Sequence, residues 1–323
     1  MHPLGPEPNF NESMYFNVTD PSNRVAGFFR LGNRANEGIG EMTACIHLPD
    51  GRVGFMFRRP KIASNDAFDA GGMRFEVLEP FVSLRVSYEG PLLLLEDPWQ
   101  LSDPGAAFRN NPTTEGRVEL AYRGCSAMFG GEPDTPAETP GEEFARGHYE
   151  QLVGAEGTIA VGDEEWSVSG FGLRDHSWGP RYWQAPWYYR WLTANFGDEF
   201  GFMGSHIARR DRDGVRSGFV WDGSTLHLCD ETRVRTTEEG PDRTHRALEL
   251  TLTAGTRSWK VTGQVFGLVP LRNRRRGPDG EEMVTRISEG FTRWTLEDGR
   301  IGYGLSEYLD QIVEGHPVGA GLD

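Results

Sequence analysis

Residues 44–57 read Ala44-Cys45-Ile46-His47-Leu48-Pro49-Asp50-Gly51-Arg52-Val53-Gly54-Phe55-Met56-Phe57. Two alternating segments flank an Asp-Gly pair, which is among the best short-range signals for a β-hairpin, because glycine reaches the positive φ of a tight turn without steric cost. The same punctuation recurs along the chain. Asp213-Gly214 separates Phe202–Ala208 from Val215–Trp221, Asp222-Gly223 ends that second stretch, and Asp298-Gly299 separates Phe291–Leu296 from Ile301–Leu305. Val82–Tyr88, Val118–Tyr122, Ala247–Thr253 and Trp259–Phe266 alternate in the same way. Short strands joined in series with no β-helix-β rhythm predict antiparallel sheets, closed as barrels or stacked as sandwiches. Glycine, 42 of 323 residues, and aromatics at 11% push in the same direction. Helical signal is thin: Leu305, Tyr308, Leu309 and Ile312 follow an i, i+3, i+4, i+7 pattern that a strand would also accommodate, and Glu142–Leu152 is a second weak candidate.

At this length the chain is one large domain or two. The clearest boundary is the acidic, proline-rich stretch 130–143, which cannot bury a core and reads as a surface loop. It sets an expected division into residues 1–145 and 146–323. Each half carries a related polar tetrad, Asn11-Glu12-Ser13-Met14 in the first and Asp175-His176-Ser177-Trp178 in the second, as two similarly built β domains would.

Lys and Arg total 33 against 48 Asp and Glu, a net charge of −15. That argues against nucleic acid as a partner and offers no polybasic membrane anchor. Three widely spaced cysteines, Cys45, Cys125 and Cys229, make neither a zinc pattern nor a disulfide framework and point to a reducing compartment. No apolar run approaches a membrane span, and the polar amino terminus does not read as a signal peptide, so a cytoplasmic location is expected. Dinucleotide, phosphate-loop, nucleophile-elbow and H-E-x-x-H signatures are all missing, and no cofactor or metal is expected. His206 and His176 lack a third ligand for a metal site.

One segment concentrates chemistry. Arg174-Asp175-His176 is followed by Trp178, Tyr182, Trp183, Trp187, Tyr188, Tyr189 and Trp191. Its functional reading is an aromatic-walled cavity with one acid at its base: a carboxyl held against tryptophan faces loses solvation, its pKa rises, and it stays protonated near pH 7 as a general acid. Ring faces would also stabilise a developing carbocation. The structural reading pairs Asp175 with Arg174 or Arg181 and treats the rings as core filling.

Gly172-Leu173-Arg174-Asp175-His176-Ser177-Trp178-Gly179 resembles the hallmark segment of the superfamily containing carotenoid 1,2-hydratase, kievitone hydratase, AttH-like proteins and certain Diels–Alderases. Phe10–Phe16, Glu289–Trp294 and Gly302–Tyr308 resemble segments of a bacterial branch of that group, so the likeness extends over nearly the whole chain. The resemblance implies an all-β fold of two lipocalin-like antiparallel β-barrel or sandwich domains side by side. It also implies a ligand cavity at or near their interface, with Asp175 as proton donor and His176 beside it. The substrate-binding set is then Arg174, Trp178, Tyr182, Trp183, Trp187, Tyr188 and Glu289. Departures around the motif argue against a carotenoid substrate.

Glu12, Glu289 and Glu307 would line the cavity or pair with Arg174, Arg181 or Arg293. The run Arg272–Arg276, followed by Gly277-Pro278-Asp279-Gly280, reads as a solvated hairpin tip or as a lid attracting a substrate anion. Three functions remain open. One is a cofactor-independent enzyme for hydration, dehydration, isomerisation or cyclisation of a hydrophobic, isoprenoid-like molecule. The second is a non-catalytic carrier of such a molecule, and the third is an interaction module. The resemblance favours the enzyme, and an oligomer is compatible with all three.

Overall fold

The computed structural model describes residues 1–132, 144–210, 212–276 and 280–322, except the side chains of 212 and 213. The chain forms two compact units, residues 1–97 with 108–182, and residues 98–107 with 183–323.

The first unit contains β1 (Phe10–Asp20), β2 (Val25–Arg34), β3 (Ile39–His47), β4 (Val53–Arg58), β5 (Phe68–Ala70), β6 (Met73–Glu79), β7 (Ser83–Leu95), β8 (Thr113–Gly124), β9 (Phe129–Gly131), β10 (Gly147–Val161) and β11 (Glu164–Pro180). Its antiparallel sheet runs β4-β3-β2-β1-β11-β10-β8-β7-β6-β5, and β4 also pairs with β7, so the strands from β4 round to β7 form a closed barrel. Gly90-Pro91 lies where β7 exchanges one partner for another. Residues 83–88 pair with β6 and Leu93–Leu95 with β4. Proline cannot donate to a ladder and suits the point where that edge changes partner. Phe16, Phe29, Met42, Leu84, Val118 and Val168 belong to the apolar interior.

The second unit contains β12 (Tyr188–Asn195), β13 (Gly201–Arg209), β14 (Arg212–Trp221), β15 (Leu226–Leu228), β16 (Glu231–Glu239), β17 (Thr244–Ala254), β18 (Arg257–Arg276), β19 (Glu282–Leu296), β20 (Ile301–Val313) and β21 (His316–Pro317). Its sheet runs β15-β14-β13-β12-β20-β19-β18-β17-β16 around Phe202, Leu250 and Trp294. No backbone pairing joins β14 to β16 among the described residues; Thr232 Oγ1 instead donates to the Ser217 carbonyl at 2.8 Å.

The expected all-β class is observed, and two of the hairpins form as read. At both, the residue before the turn donates to the residue after it: Leu48 N to Arg52 O at 2.9 Å and Leu296 N to Arg300 O at 3.0 Å. Gly51 and Gly299 take φ of 95° and 87°. Several expectations change. Asp213-Gly214 lies inside β14, since Arg209 already pairs with Arg212. The 305–312 pattern is strand β20 and residues 147–152 begin β10, because long ladders on both sides outweigh a weak helical period. Arg272–Arg276 extends β18 opposite Arg286–Glu282, while 277–279 lie outside the described residues.

The division falls at Tyr182/Trp183 rather than at 145/146, because β10 and β11 return to the first sheet beyond the acidic stretch, whose residues 133–143 lie outside the described residues. The two polar tetrads are therefore neighbours in one sheet, with Glu12 opposite Trp178, Ser13 opposite Ser177 and Met14 opposite His176. Among the described residues no helix is long and apolar enough to cross a membrane.

Replacing Thr232 with Val keeps the side-chain shape but removes the seam bond. The expected cost is about 1 kcal/mol in urea unfolding, with faster amide exchange in β16 than elsewhere in the second unit. Unchanged exchange there would show that the bond does not hold the seam.

Candidate active site

Strand periodicity decides the site. Val168 lies in the barrel core, so Arg174, His176 and Trp178 share its interior face, while Asp175 and Ser177 point to the other side of the wall. The Asp-His pair of the motif therefore serves two separate environments.

On the interior face, Glu12 is fully buried and acts as an acceptor hub. The His2 backbone N–H donates to it at 2.8 Å, His2 Nδ1 at 2.9 Å, Asn65 Nδ2 at 2.6 Å and His176 Nε2 at 3.0 Å. Burial alone would raise its pKa, but these donors outweigh burial and hold it down at about 2. His176 moves below its ordinary range, chiefly through burial and against the pull of Glu12. A neutral imidazole with Nε2–H committed to Glu12 leaves Nδ1 as acceptor, so the Tyr149 hydroxyl donates to it at 2.9 Å.

Tyr149 has a second neighbour. Arg174, almost completely buried, donates from Nη1 to the Tyr149 oxygen at 3.4 Å and from Nε to Gln151 at 3.1 Å. Its guanidinium lies over the rings of Tyr149 and Phe81, 4.8 and 5.2 Å from their centroids. No carboxylate pairs with it among the described residues. Trp178 stacks on His2 at 3.7 Å and meets Tyr149 edge-on at 6.0 Å. Gly147 makes room for that indole, which a β-carbon at this position would overlap.

On the other face, the expected protonated Asp175 is not observed. Burial raises its pKa, but the charge of His148 and the hydrogen bond that His148 donates outweigh it and bring the carboxyl below its ordinary value. The partner is His148, not Arg174 or Arg181. Burial opposes charging of His148, yet Asp175 and Glu150 lift it to about 9. Arg181 donates instead to Ser177 Oγ at 2.5 Å.

The aromatic run divides at the unit boundary. Only Trp178 joins His176. Tyr182 ends the first unit, and Trp183, Trp187 and Tyr188 belong to the second. There the Trp187 ring carries Arg210 at 4.8 Å, and Tyr188 packs edge-on against His206 at 5.4 Å. The Trp183 carbonyl accepts from Gln311. Glu289 also sits in the second unit, opposite Glu307 on β20 rather than beside an arginine. Burial and the neighbouring Glu307 carboxylate push Glu289 well above its ordinary value, and the Tyr189 hydroxyl donates to Glu307. The carboxyl pushed upward is thus Glu289, not Asp175. His2, Tyr149 and His148 went unrecognised in the sequence; none lies within a motif, and long-range pairing alone assembles them.

Two trios present ligand atoms within 4.8 Å of one another, His2-Glu12-His176 and His148-Glu150-Asp175, and either could hold a cation. In the first, Glu12 is already saturated by N–H donors, so the cluster is electrostatically satisfied by hydrogen bonds alone.

The DUF7064 model, a domain of unknown function, matches residues 1–312. The chain belongs to that family. No curated protein matches it in sequence. Among solved structures, a Nitrosomonas europaea protein named as an AttH candidate is similar at TM-score 0.62 and 15% identity, covering 98% of this chain and 100% of that one. Kievitone hydratase from Nectria haematococca follows at TM-score 0.55 and 13% identity, covering 93% and 88%, and CghA at 0.53 and 10%, covering 94% and 88%. The expected likeness to AttH-like proteins and to kievitone hydratase thus holds at the level of fold.

Two outcomes follow. The raised pKa of His148 contributes stability that is complete below pH about 6.5 and is lost as pH rises through about 9. The side chain is 41% exposed, so solvent screens the pair and the effect is small. The melting temperature of wild type should exceed that of His148→Gln at pH 6, and the gap should close by pH 9.5; a constant gap would refute the pairing. For Glu289, whose pKa is also raised, stability is lost as pH climbs above the unfolded carboxyl range. Glu289→Gln should therefore be more stable than wild type at pH 8 and should remove an infrared band of a neutral carboxyl.

Proposed function

We propose that this protein is an enzyme that moves protons on a hydrophobic small molecule without a cofactor, in a hydration, dehydration, isomerisation or cyclisation. The observation that carries the reading is Tyr149, held between the Nδ1 acceptor of His176 and the buried guanidinium of Arg174. The phenol gives its proton to an alkene or a leaving hydroxyl, the phenoxide that remains faces Arg174, and it recovers a proton from the water that adds or from the substrate carbon that forms the alkene. In the reverse sense the phenolic proton passes to His176, the phenoxide takes a proton from substrate carbon, Glu12 stabilises the imidazolium, and the imidazolium proton then leaves on the departing hydroxyl as water, which restores the neutral His176. Every proton transfer in this cycle has a side chain as donor or acceptor.

The rings of Trp178, Tyr149 and the exposed Phe81 give the substrate an apolar seat and favour an isoprenoid-like molecule. Structural similarity to kievitone hydratase and to CghA, whose structure with Sch210972 places a small molecule on this fold, supports a small-molecule substrate. In this reading the acid assigned to Asp175 by resemblance passes to Tyr149, and Asp175 holds the neighbouring wall through His148.

Hydrophobic compounds recovered with the purified protein provide the probe, incubated in deuterated water and followed by mass spectrometry. Wild type should incorporate deuterium or convert the compound, and Tyr149→Phe should bind it equally while slowing exchange about 10²- to 10⁴-fold. A compound bound and left unchanged by wild type would make the protein a carrier. Full activity in Tyr149→Phe would remove the phenol from the chemistry.

A further inference from the structure

The second unit contains a feature that this proton chemistry does not use. Beside the Thr232–Ser217 bond, the seam between β14 and β16 opens into a cavity of about 440 Å³, within the range of small-molecule sites. Its lining is strongly charged: His206, Arg216, Arg233 and Arg235, with Glu231 and Glu249.

The guanidiniums are underused. Arg216 has no hydrogen bond or ion pair among the described residues. Arg233 commits Nε to Glu231 at 2.7 Å and leaves the open end of its fork free among those residues. Arg235 comes no closer than 3.8 Å to Glu249, beyond hydrogen-bond distance. Three arginines against two carboxylates make a local excess of positive charge in a chain of net charge −15. His206 is only 5% exposed and lies directly across from Arg216 on the paired strand. Gly214 leaves its ring space, since a β-carbon there would overlap His206 Nε2.

Concave space, unspent forked donors and a buried imidazole fit an anion with planar or tetrahedral oxygens, which a guanidinium fork binds in bidentate fashion. We propose that the β14–β16 fissure binds a small oxyanion, a carboxylate or a phosphate, through Arg216 and Arg233, with His206 at its floor. A seam without backbone pairing suits this role, because ligand oxygens reach side chains on both sheet edges at once.

The test is calorimetric titration of the full chain with inorganic phosphate and with benzoate at constant ionic strength. One saturable site per chain is expected for at least one of them, and the tighter partner identifies phosphate or carboxylate as the source. Arg216→Ala should weaken binding at least tenfold and Arg216→Lys should restore part of it. Arg257→Ala, at an exposed arginine near Asp222, should leave binding unchanged. Circular dichroism checks that each variant keeps its fold. No saturable binding of either anion, unchanged binding in Arg216→Ala, or equal loss in Arg257→Ala would each overturn the proposal.

Discussion

The pairing of β1 with β11 is the constraint on which the first unit depends. It joins the amino-terminal strand to the motif strand within the barrel, and its register sets Glu12 beside Trp178 and Met14 beside His176. A slip of one residue would turn every side chain of β11 to the opposite face. His176 would then leave Glu12, and Arg174 would leave the rings that cover it. The apolar series from Met14 to Val18 and the site are thus specified by the same register, and the hydrophobic interior that pins it also preserves the chemistry.

That constraint determines how charge is kept inside. A buried ion is costly unless neighbours replace its hydration. Glu12 is satisfied by four N–H donors and remains ionised. Arg174 relies on two aromatic faces, Gln151 and Tyr149 instead of a carboxylate. Glu289 takes a third course: burial and the neighbouring Glu307 raise its pKa and favour the uncharged form. In the second unit, Arg190 lies between Tyr188 and Tyr308 and pairs with Asp310 at 3.2 Å. An arginine supported by tyrosine rings therefore recurs in both units, but only in the first does the arginine lack a carboxylate among the described residues, which leaves its charge available to a phenoxide.

Local features were legible in the sequence because local chemistry produces them. Asp50-Gly51 and Asp298-Gly299 form turns from their own residues, and the barrel class follows from repeating them. Asp213-Gly214 misled because the neighbouring ladder already turns at 209–212, and local preference then yields to strand register. The acidic stretch was correctly read as unable to form a core, but its composition could not reveal that the chain beyond it returns to the first sheet. The motif marked the site through His176, Arg174 and Trp178. It did not expose Tyr149, which lies 27 residues away on another strand, or His2, which arrives through the turn preceding β1. Alternation along β11 was present in the sequence and was enough to separate Asp175 from His176, once the segment was read as a strand.

Fold similarity at 10 to 15% identity transfers a scaffold, whereas the reaction belongs to the groups placed on it. Here those groups define a resting state. The phenolic proton lies between Tyr149 and the unprotonated Nδ1 of His176, and a cation faces the oxygen that would lose it. The neutral His176 can accept that proton because Glu12 stays ionised to stabilise the resulting imidazolium; a protonated Glu12 would withdraw that support. The low pKa of Glu12 is therefore a condition for the proposed relay, which depends on the same three side chains in either direction.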